Sequence, residues 1–386
     1  MEQPRGGEIL FHNSINKSII FLFSGFLLFA LHAISAPVDA IREKCEIWPD
    51  WNNFKKTFIS DEGRVVDHSV AQGITTSEGQ SYALMFALIA NDRVSFDQIL
   101  RWTENNLAYG DLTANLPAWK WGKRTDDSWG VIDDNAASDA DLWIAYVLNE
   151  AGQQWKIPRY TALSELLASR ILREETTFIP DLGLVLLPGP KGFQLSDTAW
   201  RLNPSYMPIQ IFRRFATIYP KSDWQKLIES SIAVITESAP HGFVPEWVDY
   251  HVGKGFQADI DPALMGVGFN AIRVYLWAGM LDKHDAVHRT LLKHLVPMGS
   301  YVGNNGTPGE NTSAGFSSAL LPFLKAVSMS NSLHLQRKRI IALAPLKRTD
   351  NYYDQVLTLF GLGWLEGRYK FDRNGQFIPR WKCEQH

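Results

Sequence analysis

The sequence predicts an all-α chain, an (α/α)6 barrel of six inner and six outer helices, with a minor C-terminal β-hairpin. Two observations predict it. Segments apolar on nearly every side recur at 79–91, 139–151, 204–217, 269–280, 316–328 and 351–365. More polar, one-faced helical patterns alternate with them at 50–60, 95–107, 160–172, 221–237, 283–296 and 332–343. A helix that is apolar all round must be buried all round, whereas one apolar stripe leaves the opposite face in water. The second observation is a period. Glu78, Asp139, Asn203 and Asn270 stand at or near the starts of the first four buried segments, 61, 64 and 67 residues apart. One buried plus one half-exposed helix per repeat makes an inner ring running parallel, with its N-termini gathered at one end.

Taken in order, residues 1–18 are polar and carry Arg5 and Lys17, Ile19–Leu31 is apolar, and Ala33, Ser35, Ala36 and Ala40 follow. That is the order of a secretory signal peptide, expected over 1–36 with cleavage between 33 and 40. The apolar run is short for a bilayer, and no membrane span is expected after cleavage. Residues 37–386 contain no Ser/Gly/Pro-rich linker or charge run, so one large domain is expected. Cys45 and Cys383 lie near its two ends, and in an oxidising compartment such a pair is expected as a disulfide. At the first two inner helices, Ser77 with Gln80 and Ser138 with Asp141 are spaced as capping boxes. Glu78 and Asp139 then fall in the first turn, where the helix dipole favours a carboxylate. The Gly/Pro-rich stretches Leu187–Gly192 and Gly303–Gly309 are long enough to wall a cleft. Tyr369–Asp372 and Gln376–Pro379 around Asn374-Gly375 read as the hairpin.

Composition narrows the function. A net charge of −3 with scattered basic residues excludes a nucleic-acid footprint. Charged residues are few at 20% while aromatics reach 12%, including 14 Trp, more than a core needs. The surplus suits platforms for sugar rings. Trp119 and Trp121 flank Lys120 in what reads as a loop, and Trp200, Tyr206, Phe269 and Tyr352 (or Tyr353) fall at or near inner-helix starts. Trp143, Trp277 and Trp364 sit within buried helices and read as core. The ten His show no metal-ligand spacing, and no phosphate-cradling loop or GxSxG elbow appears, so no metal or cofactor is expected. Two acids brought to one mouth among aromatics are what glycoside hydrolysis requires.

The residues then carry a resemblance. ITTSEGQSYALMFALIANDR (74–93), LPAWKWGK (116–123), ASDADLWIAYVLNEAG (137–152), NPSYMP (203–208), AIRVYLWAGM (271–280), GFSSALLPFL (315–324) and YYDQVLTLFGLGW (352–364) resemble glycoside hydrolase family 8. Within it they look like the periplasmic endoglucanases encoded with bacterial cellulose synthases. The resemblance implies the (α/α)6 fold and inverting hydrolysis of β-1,4-glucan. It implies a periplasmic or secreted enzyme acting in cellulose biosynthesis or export, in association with a cellulose synthase complex.

By position, Glu78 resembles the proton donor, and Asp139 the aspartate of the ASDAD signature, a second carboxylate that supports the sugar and is the first candidate for the base. The departure is Asn270. Cellulase-type members carry Asp in the motif that here reads Gly268-Phe269-Asn270-Ala271-Ile272-Arg273, and an amide cannot take a proton from water. Asp261 and Asp259 are the next candidates for the base. Arg273 is expected to hold the Asn270 region or a sugar hydroxyl. The alternatives are a glucan-binding component with weak or no catalysis, and a hydrolase of chitosan or xylan.

Overall fold

The computed structural model describes residues 44–45, 47–69, 72–258, 268–305, 313–347, 352–381 and 383–384. All twelve expected helices appear. They are α1 (Pro49–Phe58), α2 (Ser77–Ile89), α3 (Arg93–Leu107), α4 (Ser138–Trp155), α5 (Pro158–Glu174) and α6 (Ile209–Ile218). Then follow α7 (Trp224–Glu237), α8 (Ala271–Met280), α9 (His288–Asn305), α10 (Ala314–Ala326), α11 (Ser330–Leu343) and α12 (Tyr352–Leu365).

Burial follows the sequence pattern. In α4 every side chain from Ser138 to Gly152 is buried, and in α2 every one except Glu78. The outer helix α5 buries one stripe, Tyr160, Leu163, Ser164, Leu167, Ala168 and Ile171, at three- and four-residue intervals. The buried helices touch in succession: α2 on α4, α4 on α6, α6 on α8, α8 on α10 and α10 on α12. Phe360 of α12 then packs against Tyr82 and Phe86 of α2 at 5.1 and 4.7 Å, returning the contacts to their start. Each odd-numbered helix lies on its inner neighbour, α3 on α2 through α11 on α10, with α1 on α12. Close approach dictates two glycines. A Cβ at Gly279 would lie 2.1 Å from the Phe323 nitrogen, and one at Gly361 would lie 1.9 Å from the Ser318 carbonyl oxygen.

Two helices start late. Residues Pro204–Tyr206 form a 3₁₀ turn capped by Asn203, and α6 begins only at Ile209. Pro208 is the reason, since the residue before a proline is pushed out of the helical region. Asn203 therefore caps a turn rather than α6. Helix α9 begins at His288, after Asp282 accepts from the His284 N–H and Asp285 accepts from the Val287 and His288 N–H groups.

Most of the strands are not legible in the sequence pattern. Thr75–Thr76, Ala118–Lys123 and Trp129–Ala136 form a three-stranded antiparallel sheet leading into α2. Gln194–Ser196, Ala199–Leu202, Val248–His251 and Gly255–Ala258 form a four-stranded one in the loops that lead towards α6 and α8. Among the described residues none is longer than eight residues, too short for alternation to stand out among helical patterns. The expected hairpin is present, Tyr369–Phe371 against Phe377–Pro379. Gly375 turns it at φ +72°, and a Cβ there would meet the Gln210 carbonyl oxygen at 1.9 Å.

Lys44–Cys45 pairs antiparallel with Cys383–Glu384, with Cys45 opposite Cys383. The expected signal peptide lies outside the described residues. Among the described residues no helix is long and apolar enough to cross a membrane.

Candidate active site

The starts of α2, α4, α8 and α12 converge on one guanidinium. Arg273, 2% exposed and one turn into α8, donates from Nη1 to Glu78 Oε1 at 2.6 Å, to Asp139 Oδ2 at 2.8 Å and to the Tyr82 hydroxyl at 2.8 Å. Its Nη2 donates to Asn270 Oδ1 at 2.5 Å. The Tyr353 hydroxyl donates to Glu78 Oε1 at 2.6 Å. Arg273 also lies over the Tyr206 ring, 5.6 Å from its centre. An arginine buried this deeply requires partners, and here they come mostly from other elements. Glu78, Phe269, Asn270, Arg273, Tyr353 and Asp354 line a cleft of about 580 Å³. Among the described residues no cluster of three His, Cys, Asp or Glu side chains is placed to hold a metal ion.

The two carboxylates differ in environment. Glu78 faces the cleft with a side chain 19% exposed, while that of Asp139 is 2% exposed. Burial and then the nearby Glu78 charge push Asp139 up to about 7, against the pull of Arg273 and of its own bond from the Ala140 N–H. Burial raises Tyr82 and Tyr353 well above the usual phenol range, so both hydroxyls stay neutral, Tyr353 donating to Glu78 and Tyr82 accepting from Arg273. For Arg273, the surrounding Glu78, Tyr353, Tyr82 and Asp139 outweigh the cost of burying its charge.

A carboxylate that sequence reasoning missed stands behind Asn270. Glu246 Oε1 accepts from the Ala271 N–H at 2.8 Å and its Oε2 from Asn270 Nδ2 at 3.1 Å. A Cβ at Gly268 would lie 1.9 Å from the Glu246 carboxyl, so a larger residue there would have to displace that carboxyl from the Asn270 and Ala271 donors. Asn270 is thus held on both sides, its oxygen by Arg273 and its amide by Glu246.

The sequence profile of the Glycosyl hydrolases family 8 matches residues 27–367. The chain belongs to glycosyl hydrolase family 8. This family 8 chain is 45% identical to an endoglucanase of Escherichia coli O157:H7 over 351 residues, 87% of the chain and 92% of that protein. It is 41% identical to an endoglucanase of Xanthomonas axonopodis pv. citri (strain 306), over 94% and 96% of the two chains. Its structure superimposes on the crystal structure of the endo-1,4-D-glucanase from Vibrio fischeri ES114 with a TM-score of 0.81 at 45% identity. That match covers 86% of this chain and 99% of the other.

Within the family 8 chain, the expected capping boxes are not what starts the helices. Thr76 caps α2 by accepting from the Gly79 N–H at 3.1 Å, and Gln80 is buried under Val65 and Thr103. Helix α4 has Ala137 at its N-cap, and Ser138 donates instead to the Leu187 carbonyl at 2.6 Å.

Two oxygens on one nitrogen at 2.6 and 2.8 Å lie nearer together than the roughly 6.5–9.5 Å between the carboxyls of an inverting pair. Asp139 is therefore too close to Glu78, and too buried, to activate a water across the cleft. Asp259 and Asp261 lie outside the described residues.

Trp119 and Trp121 are on a strand rather than in a loop. Trp119 is exposed, and Trp121 stacks on Trp129 at 5.3 Å under Arg64. Trp129, 47% exposed, is an aromatic the sequence did not single out. Phe269, 43% exposed, packs against Tyr353 at 4.9 Å. Trp200 is buried at 4% and offers no face to the cleft. Tyr352 packs against Phe54 and Phe58 while also lining the cleft, and its neighbour Tyr353 is the one that holds Glu78. Trp143 and Trp277 are core as expected, while Trp364 is half-buried.

Proposed function

We propose that this chain is an endo-1,4-β-glucanase that cleaves β-1,4-glucan with inversion, Glu78 serving as the proton donor. The observation that carries the reading is the position of Glu78. It is the one unburied residue of α2, it opens to the cleft, and Arg273 and Tyr353 both donate to its Oε1. That leaves Oε2 to carry the proton towards the glycosidic oxygen. Glu78 and Asp139 share Nη1 of Arg273, and the form with the proton on Glu78 is the active one. Asp139 is a second carboxylate that keeps that proton in the cluster rather than a base.

Asn270 orients the attacking water without taking its proton. The base is then Glu246, whose carboxylate is bound to the Asn270 amide, or a carboxylate of the 259–261 segment. Phe269, Trp119 and Trp129 are exposed faces suited to sugar rings. The succession of inner contacts with the outer helices laid over them supports an (α/α)6 barrel. The charged and apolar order of residues 1–40 supports export through a signal peptide to the periplasm, and the branch resembled places the enzyme beside a cellulose synthase.

Release of reducing ends from carboxymethyl cellulose tests the reading. Glu78→Gln should lower turnover by at least roughly 10²–10⁴ and leave binding of cello-oligosaccharides within a few-fold of the parent. Retained activity would remove Glu78 from the acid role. Asn270 favours a second reading, a glucan binder without hydrolysis. A parent chain that binds cello-oligosaccharides but releases no reducing ends would establish it.

A further inference from the structure

The active-site cleft lies at the starts of the buried helices, and a second cleft of about 510 Å³ lies where three of them end. Leu281 closes α8, Pro322 and Ala326 belong to the last part of α10, and Trp364 stands one residue before the end of α12. All four line this second cleft. The three helices are 10, 13 and 14 residues long, which sets the two clefts about 15–20 Å apart along the bundle. Trp364 is half-buried, with Phe371 of the hairpin stacked against it at 5.9 Å.

Around this apolar lining stand Lys283, Lys325, Lys370 and Arg380, all exposed. Among the described residues none of the four has a carboxylate partner. The carboxylate that shares the cleft, Asp282, already accepts from the His284 N–H at 2.8 Å and lies 3.0 Å from that ring. Acids further along the chain are engaged too. Asp285 accepts from Arg213 at 3.0 and 3.2 Å, and Glu366 from Arg368 at 2.7 Å.

Stability does not account for this cluster. A cation in the last turn of a helix offsets the dipole, an effect confined to that turn, and it explains Lys325 alone. Lys283 lies beyond the end of α8, Lys370 is the exposed residue between buried Tyr369 and Phe371 on a strand, and Arg380 follows the hairpin. Four like charges around one cleft repel one another, in a chain whose net charge is −3. A cleft walled by one sign of charge concentrates ligands of the other. An apolar centre ringed by polar groups is the anatomy of a protein-binding patch, with tryptophan a frequent anchor. The concave shape admits a side chain and keeps out a flat bilayer, and Leu281, Pro322 and Ala326 offer a sugar no hydrogen bonds.

We propose that this cleft docks an acidic peptide segment of a partner protein, with an apolar side chain seated against Trp364 and carboxylates paired to the four cations. A partner held there leaves the Glu78 cleft open. The docking is independent of whether the chain hydrolyses glucan.

The test is fluorescence anisotropy of a dye-labelled hexapeptide, two glutamates on either side of Phe-Leu, titrated with the full chain. Binding should saturate, weaken as salt is raised, and fall at least about tenfold in Lys325→Glu/Lys370→Glu. The same charge change on the exposed face of α11, Arg337→Glu/Lys338→Glu, should leave binding at the parent level. These four side chains are exposed, so both variants keep the fold, which thermal melts check. A peptide with Ser-Ser in place of Phe-Leu should bind several-fold more weakly. Equal losses in the two double variants overturn the proposal, because they mark a general attraction to charge. A Ser-Ser peptide that binds as well as the first overturns it in favour of a plain anion site. Absence of peptide binding overturns it outright. In that case phosphatidylglycerol vesicles or polygalacturonate, bound by the parent and not by Lys325→Glu/Lys370→Glu, would assign the cleft to a bilayer or an acidic polysaccharide.

Discussion

Changing Asp139 to Asn isolates a stability cost that the active site imposes on the fold. Asp139 has an ordinary carboxyl value of 3.8 when unfolded and is raised to about 7 when folded, chiefly by burial and then by Glu78. A raised folded value means the native state binds the proton more tightly. The stability this group contributes is thus fully present below its unfolded value and is lost as pH rises through the folded one. A rise of about three pH units corresponds to about 4 kcal/mol lost between about pH 4 and pH 7.

The amide of Asp139→Asn would not titrate, so that slope disappears. It keeps only one of the two bonds that Asp139 accepts, from Ala140 at 2.8 Å and Arg273 at 2.8 Å. The other position then opposes two donors, at a pH-independent cost of about 1–3 kcal/mol. The variant should be less stable than the parent near pH 4 and more stable above pH 7, with the two curves crossing in between. Urea unfolding of both proteins across this range measures the difference directly. A difference that stays constant with pH would refute the assignment of the raised carboxyl to Asp139. Hydrolysis should fall in the same variant at every pH.

Asn270→Asp should not raise turnover, because it sets a carboxylate against Glu246 where the amide now donates at 3.1 Å. Thermal melts should show a loss of about 1–3 kcal/mol, recovered in Asn270→Asp/Glu246→Gln; a faster single variant would place the base at position 270. Cys45 stands opposite Cys383 across paired strands, and antiparallel partners are spaced as a disulfide needs. A non-reducing peptide map of exported protein should show the linked pair, and Cys383→Ser should cost about 2–4 kcal/mol in urea unfolding; two free thiols would contradict the bond.

The helices were legible because each carries its own instruction. DLWIAYVLNEA is apolar on nearly every side and becomes a wholly buried stretch of α4, while α5 shows its single stripe in the sequence. Glu78 and Asp139 were legible as a pair because a repeating period put both at inner-helix starts. What caps those helices was not, since Thr76 and the residue before Ser138 are decided by which oxygen the folded turn presents.

Contacts across the ring belong wholly to tertiary structure. Tyr353 reaches Glu78 over 275 residues of chain, and Glu246 reaches Asn270 over 24. Tyr352 and Tyr353 are indistinguishable in sequence, and one side-chain direction sends the first into Phe54 and Phe58 and the second to the acid. Asp141 reads as a helix-start acid, and only the packing around α4 buries it completely. Periodicity and the helix dipole act along one element and are written in its residues. Which side chains from different elements share a proton or a guanidinium depends on how those elements close on one another, and that distance is nowhere in the linear order.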